Sequence, residues 1–339
     1  MSVEKYFDIT VIVLTYNSRW EEIKATLNSI YAQKQIKIQI IISDDGSKNN
    51  FYNELNTYFL DHKISDYILN LNKDNKGTVK NIASTLQYIQ GKYVKLISPG
   101  DLLYSDMTLA NMCYSLKKHD CCVGFGKVIP YKYEDQICII SHKKNPVCQH
   151  LYKNVSNYKQ RDIFVDYLLA NDTIIGASTI YESDIFNVYI CKIKESLVYA
   201  EDYVLRLMVF DGIKILFMDY FVVWYEYGCG ISTNKNAIWD MRLHQDFVNS
   251  DIIIRQCKTK ISAIQKKYIK FLSICSKYPR LKKILKILYF PKVIFFRVIM
   301  KTSTHKKIKS YDTSYLHICM NMNEDVKEKT NNENTICNI

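Results

Sequence analysis

The residues that can do chemistry come in short polar clusters set between apolar runs. Thr15, Tyr16 and Asn17 follow one such run, Asp44 and Asp45 stand together in an SDDGS turn, Asp101 closes an SPGD turn, and Glu201 and Asp202 open a later apolar stretch. Carboxylates so placed can accept hydrogen bonds from a ligand, hold a hard cation or take up a proton. The same residue types also serve ordinary turns and helix starts, which favour Asp, Asn, Gly and Ser on backbone grounds alone. Each cluster is therefore weak by itself, and the question is whether the fold brings them to one place.

The intervening elements answer it. Residues 8–14 (DITVIVL), 36–42 (IKIQIII), 66–71 (DYILNL) and 92–97 (KYVKLI) read as strands, and 20–33, 50–60 and 78–90 carry apolar residues at helical spacing, such as Ile23, Leu27 and Ile30. Four such β–α repeats predict a parallel, doubly wound sheet with helices on both faces. Ligands of these sheets bind beyond the carboxyl ends of the strands, and the clusters at 15–17, 44–45 and 101 fall there. Residues 121–181 hold shorter strand-like runs and a helix expected at 161–170. The stretch 201–211 reads as a helix whose two leading acids suit the helix dipole. A strand-like aromatic run, KILFMDYFVVWYEYGCGIST, follows until two glycines break it.

Taken in order, IVLTYNS, SDDGS, NKGTVKN, SPGD and AED resemble the blocks of the family-2 glycosyltransferases, the inverting, nucleotide-sugar-dependent enzymes of the GT-A fold. The resemblance covers roughly residues 8–235, and YEYGCGIST is similar to a motif of bacterial polysaccharide-assembly members. It implies an α/β, GT-A type, Rossmann-like mixed sheet flanked by helices. It further implies that Thr15 and Asn17 border the nucleotide pocket, that Tyr16 packs near the base, and that Asp45 accepts from a uracil edge with Asp44 beside it. Lys80 stands where relatives commonly carry Arg, and Ser98 and Gly100 would border the donor. Asp101 is the implied ligand of a divalent metal, Mg²⁺ or Mn²⁺, which needs few protein carboxylates when phosphate oxygens complete its shell. Many relatives have D-x-D-D where this chain has Ser98, Pro99, Gly100 and Asp101, so only the last carboxylate is kept. A plain alternative is that Asp101 caps the next helix.

Asp202 is the implied general base, taking the acceptor hydroxyl's proton, with Glu201 as the rival. If 201–211 is a continuous helix, Glu201 shares a face with Val204, Leu205 and Met208 and is buried among them. Trp224, Tyr225, Glu226 and Tyr227 can shape an acceptor pocket or simply belong to the core. The seven His show no ligand spacing, and no phosphate-binding G-x-x-x-x-G-K-[ST] occurs.

Charge sets the second half apart. Residues 252–310 hold 17 of the 46 Lys and Arg and none of the 34 Asp and Glu, so the net charge of +12 belongs to one segment. Within it, Leu281, Ile284, Leu285 and Leu288 alternate with Lys282, Lys283 and Lys286, too interrupted to span a bilayer but suited to an anionic membrane surface. Packing on the catalytic domain is the competing reading, and a nucleic-acid partner ranks last for want of a motif. The expected organisation is a catalytic domain over 1–235, a basic helical extension over 236–310 and a disordered polar tail over 311–339. The eleven scattered cysteines form no disulfide framework or zinc spacing and, with an N-terminus unlike a signal peptide, point to the cytoplasm. The sequence is thus expected to encode a glycosyltransferase on the inner face of the cytoplasmic membrane. It would pass a sugar from a UDP-sugar to a lipid-linked saccharide acceptor in cell-surface polysaccharide synthesis. The alternative is a catalytically degenerate nucleotide-sugar-binding protein or a peripheral membrane or nucleic-acid-binding protein.

Overall fold

The computed structural model describes residues 6–133, 137–140, 145–153, 159–228, 237–257, 261–302, 311–320 and 336–337. Its first third is the expected β–α repeat. Strands β1 (Phe7–Thr15), β2 (Ile38–Asp44), β3 (Tyr67–Leu71) and β4 (Gly91–Ile97) alternate with helices α1 (Trp20–Tyr31), α2 (Tyr52–Asp61) and α3 (Thr78–Thr85). The strands pair in parallel in the order β3-β2-β1-β4. Ile9, Val11, Ile12 and Val13 on β1 and Ile40, Ile41 and Ile42 on β2 are all buried. Helices cover both faces, which is why these strands read as unbroken apolar runs instead of alternating ones. Helix α3 is shorter than the expected 78–90, ending at Thr85 and tightening into a 3₁₀ turn over Leu86–Tyr88.

The sheet then turns antiparallel. A short β5 (Leu102–Leu103) and helix α4 (Thr108–His119) lead to β6 (Val123–Tyr133) and β7 (Ile137–Ile140). Next come helices α5 (His150–Lys153) and α6 (Gln160–Phe164), a π-helical turn over Val165–Ala170, strand β8 (Thr179–Glu182) and helix α7 (Ser183–Ile193). Helix α8 (Val204–Asp211) and strand β9 (Ile215–Glu226) close this half. Strand β8 joins β4 to β6 with antiparallel pairing on both sides, and β9 lies parallel to β6 and antiparallel to β5. At the far edge β10 (Ile336–Cys337) pairs with β7. The result is a mixed α/β sheet with its parallel half intact.

Beyond β9 the chain is helical: α9 (Ala237–Gln256), α10 (Ala263–Lys277), α11 (Lys282–Tyr289), α12 (Lys292–Thr302) and α13 (Ser314–Cys319). The boundary expected near 235 does not separate these helices from the catalytic fold. Tyr268, Phe271 and Leu272 of α10, with Phe290, Val293 and Phe296, share one core cluster with Phe164, Leu168 and Phe210. The Tyr268 ring stands edge-on to Phe164 at 5.2 Å, and Gln265 Nε2 donates to the Phe210 carbonyl at 2.6 Å. Residues 311–320, expected in a disordered tail, also pack. Leu316 and Cys319, three apart on one helical face, are buried beside Trp224 and Tyr131, and Asn28 Nδ2 donates to the Cys319 carbonyl at 2.7 Å. The rest of that tail, apart from 336–337, lies outside the described residues, as does most of the GCGIST run.

Because α10 completes the core, Phe271→Ala should destabilise the whole fold by about 3–5 kcal/mol through the cavity it leaves. Denaturant unfolding followed at an aromatic of the β-sheet half checks this. A loss confined to the helical region, with the sheet unaffected, would show that the two are independent.

Candidate functional site

A cavity of about 930 Å³ opens at the carboxyl ends of the parallel strands. Of the residues singled out from the sequence, Thr15, Tyr16, Asn17, Asp45, Ser98, Asp101, Glu201 and Asp202 all line it. Asp44, Lys80 and Gly100 do not.

At the β1 and β2 ends the two adjacent aspartates divide the work. Asp44 is buried and accepts from Thr15 Oγ1 at 2.8 Å, Ser47 Oγ at 2.6 Å and the Ser47 N–H at 2.8 Å. It organises the turn and is turned away from the cavity. Asp45 faces the cavity, and its two oxygens accept the N–H groups of Lys76 and Gly77 at 2.8 and 3.0 Å. Burial nevertheless raises its pKa, against the pull of those two bonds. Asn17, at φ 49°, clasps the neighbouring loop, its N–H donating to Ser47 Oγ at 2.7 Å and its Oδ1 accepting from the Lys48 N–H at 3.1 Å. Tyr16 is 50% exposed, so its ring is free to meet a planar ligand at the rim.

Lys80 departs from expectation. On α3 it points outward and pairs with Glu195 at 3.6 Å, because the start of α3 packs directly on residue 198. Gly77 (φ 85°) permits that approach: a Cβ there would stand 2.7 Å from the Val198 carbonyl oxygen.

At the end of β4, Asp101 does not cap a helix, the alternative role that its position allowed. It is followed by β5, with α4 starting only at Thr108, and its Oδ1 accepts the Glu226 N–H at 2.9 Å. Gly100 (φ 90°) serves through its backbone. Its carbonyl accepts from Tyr131 Oη at 2.5 Å, and a Cβ would meet Glu226 Oε2 at 1.9 Å. The Glu226 carboxylate therefore lies against this turn, and both acids line the cavity. Burial first, and then the Glu226 charge, push Asp101 up to about 8. Two oxygen-only side chains side by side suit a hard divalent cation, and Glu226 supplies the carboxylate that the shortened SPGD motif lacks. The described His, Cys, Asp and Glu also include one tight group of three, Cys148, Asp166 and Asp172. Its thiol does not suit a hard ion. Asp172 is moreover engaged by the Val147, Cys148 and Thr173 N–H groups, holding a loop behind the cavity wall.

Glu201 and Asp202 form a 3₁₀ turn over Glu201–Tyr203, and α8 begins only at Val204. The α-helical spacing that would have buried Glu201 among Val204, Leu205 and Met208 therefore does not apply, and both acids border the cavity beside Gly176. Burial raises both. Glu201 goes further, to about 8, because the Asp202 charge adds to it. Asp202 rises only to about 6, held back by a backbone hydrogen bond and by the Arg206 guanidinium. Arg206 is itself buried, donating to Ser250 Oγ at 2.9 Å and Asp251 Oδ1 at 2.6 Å. Arg206 thus favours the charged form of Asp202, while the Asp202 charge disfavours that of Glu201.

Two supporting residues escape sequence reasoning. Buried Asp246 on α9 accepts the N–H groups of Val198, Tyr199 and Ala200 at 3.0, 2.7 and 2.9 Å, fixing the segment that leads into Glu201. Lys95, fully buried on β4, donates to the carbonyls of Ala177 and Thr179 at 2.6 and 3.4 Å under the opposite wall. Burial lowers its pKa to about 8, with Asp101 opposing. Helix α9 also supplies Trp239, Arg242 and Leu243 to the cavity, and β9 supplies Tyr225, Glu226 and Tyr227.

The architecture is that of the GT-A glycosyltransferases. The fold resembles that of Staphylococcus aureus TarS residues 1–349 in complex with UDP-GlcNAc (16% identity, 85% of this chain and 81% of that one, TM-score 0.53). It likewise resembles the Pyrobaculum calidifontis mannosyltransferase PcManGT in complex with GDP-Man and Mn²⁺ (13% identity, 96% and 83%, TM-score 0.51). No curated protein sequence matches the chain. Residues 10–176 match the model of glycosyl transferase family 2.

Asp246 is a positioning residue, and Asp246→Ala strands three N–H groups, that of Ala200 buried and those of Val198 and Tyr199 part-buried. The variant should lose about 2 kcal/mol or more of stability and the hydrogen-exchange protection of the 198–200 amides, while Asp246→Asn, which keeps an acceptor, should retain part of both. Unchanged exchange at 198–200 in the alanine variant would mean that the turn is held by other contacts.

Proposed function

We propose that this protein transfers a hexosyl or N-acetylhexosaminyl group, with inversion, from a UDP-sugar to a hydroxyl of a lipid-linked saccharide, at the inner face of the cytoplasmic membrane, in cell-surface polysaccharide assembly. The observation that carries the transfer reading is that three chemically distinct ends meet in one cavity. A rim of Tyr16 and Asp45 suits a base, Asp101 with Glu226 suits a cation, and Asp202 lies on a third wall. The match of residues 10–176 to glycosyl transferase family 2 supports glycosyl transfer. Bound UDP-GlcNAc in one structural relative, and GDP-Man with Mn²⁺ in another, support a nucleotide-sugar donor and a divalent ion.

In this reading Tyr16 and Asp45 orient the nucleobase, and Asp101 with Glu226 holds the metal. When bound, a divalent ion would neutralise the diphosphate. Asp202 takes the acceptor hydroxyl's proton as its oxygen attacks the anomeric carbon from the face opposite the leaving group. The raised but sub-neutral pKa suits that role: the carboxylate is ionised at pH 7, yet more basic than a solvated aspartate. Glu201, raised by burial and by the Asp202 charge, lies beside it and can hydrogen-bond the acceptor.

Membrane attachment is supported by the outer face of α11 and α12. Leu281, Ile284, Leu288, Ile294, Phe295 and Val298 are exposed, with Leu288 at 70% and Phe295 at 63%. Among the described residues no helix is long and apolar enough to cross a membrane. This face suits lying on one, since flanking Lys and Arg favour anionic headgroups. Not every charge of the segment is available. Lys286 is buried on the Leu169 carbonyl, Lys282 approaches Asp251, and Lys292 pairs with Asp162. Apolar insertion therefore carries more of the attachment than the segment's formal charge suggests.

Asp202→Asn should lower turnover by about 10²- to 10⁴-fold with donor affinity within a few-fold of wild type. Because the base must be deprotonated, wild-type kcat/KM should climb with pH through about 6 and level off above it. A variant with near-normal turnover, or a profile falling over that range, would exclude Asp202 as the base. Separately, Leu288→Glu with Phe295→Glu should keep the protein folded but weaken its sedimentation with phosphatidylglycerol-containing vesicles by about a hundredfold, given ~1.5 kcal/mol or more per buried apolar side chain. Wild-type protein that stays in the supernatant would remove the membrane from the proposal.

A further inference from the structure

We infer that Arg242 holds the departing nucleoside diphosphate, an inference that rests on the nucleotide-sugar reading above. Among the described residues that line the cavity, Glu22, Asp45, Asp101, Glu201, Asp202 and Glu226 are acids, and Arg242 is the one Lys or Arg. A nucleoside diphosphate brings further negative charge into this acidic wall. A divalent ion held by Asp101 and Glu226 would already be partly neutralised by them, so a second positive group would be needed where the diphosphate lies.

Arg242 is built for an anion that arrives from outside. Its partners among the described residues are aromatic and not acidic: the guanidinium lies 4.8 Å from the Trp239 ring centroid and 5.3 Å from that of Tyr199, and Nη1 donates to Tyr199 Oη at 3.3 Å. The two rings themselves meet edge to face at 5.1 Å. Aromatic faces steady a planar cation without consuming its N–H edges, and those edges match two phosphate oxygens at once. Arg206 is the contrast, since Ser250 and Asp251 already occupy its edges. Tyr199 stands two residues before Glu201, on the segment pinned by Asp246, so the cation sits beside the turn that bears the base.

In the transfer step the acceptor oxygen bonds to the anomeric carbon as the bond from that carbon to the diphosphate oxygen breaks. The bonding pair stays on the diphosphate, and the hydroxyl proton goes to Asp202. Charge on the diphosphate grows along this path, so a cation placed there stabilises the transition state more than the bound donor. The contribution comes from α9, outside the residues 10–176 that match the family model.

Calorimetric titration of the full chain in Mn²⁺ with UDP, uridine, GDP and guanosine tests this. Wild type should prefer one diphosphate to its nucleoside. Arg242→Gln should weaken that diphosphate by about 10- to 100-fold, leave the nucleoside unchanged and keep the wild-type melting temperature, while Arg242→Lys should recover part of the loss. Equal diphosphate affinity in Arg242→Gln and wild type would overturn the role of Arg242 and leave the nucleotide-sugar reading standing. Wild-type protein that binds none of the four probes, or shows no preference for a diphosphate, would overturn both.

Discussion

The site depends on buried carboxylates that accept backbone N–H groups. Its rim is made of loops from distant parts of the chain, and irregular backbone that leaves its donors buried and unpaired is costly. Here Asp44 closes the turn after β2, Asp45 takes the two N–H groups before α3, Asp172 takes three behind the wall, and Asp246 takes three ahead of the catalytic turn. The joins run in series, because the start of α3 lies on residue 198 through the Val79 N–H to Val198 carbonyl bond of 3.0 Å. The rim at Asp45, the turn at 201–203 and α9 are thus one connected frame. Helix α9 belongs to the site as fully as the β–α repeats do.

That frame concentrates acids, and the cost falls on stability. Glu201 and Asp202 have folded-state pKa values above their ordinary ones, chiefly through burial. Groups shifted this way give their full stabilising contribution below the ordinary carboxylate range and lose it as pH rises through about 6 and then about 8. The cavity is therefore under electrostatic tension at neutral pH. The same tension keeps Asp202 basic enough to accept a proton, an instance of local destabilisation that serves chemistry. Arg206 limits it, its charge opposing the rise at Asp202.

Much of this was legible in the sequence, for a physical reason. Parallel strands covered on both faces are continuous apolar runs, so β1 to β4 and the polar turns at their ends stand out, and eight of the expected site residues do meet in one cavity. What was not legible depends on local geometry or on distant partners. The 3₁₀ turn at 201–203 moved Glu201 out of the apolar stripe that an α-helix would have given it. Lys95 looked like an ordinary polar position in a strand, and only the carbonyls of Ala177 and Thr179 explain its burial. Lys80 matched a motif position but not the required direction. Asp246 and Arg242 lie beyond a boundary that a change in charge pattern suggested and that packing does not respect, because a helix's charge says nothing about what its buried face touches.

The basic helices show the same two-sidedness. Along α11 and α12 the positions 286, 290, 293 and 296 turn inward, with Lys286 donating to the Leu169 carbonyl at 2.6 Å, while 284, 288, 295 and 298 turn outward. Their inner contacts fall on the π-helical turn at 165–170, and that turn runs straight into Asp172 and the cavity-lining residues 173–176. A surface lying on the outer face would therefore be fixed in position relative to the cavity instead of joined to it by a flexible tether. For an acceptor carried on lipid this matters more than attachment alone. A tether raises local concentration, but a rigid support also sets the angle at which the acceptor hydroxyl meets Asp202, and orientation is the larger part of what an enclosed site can contribute.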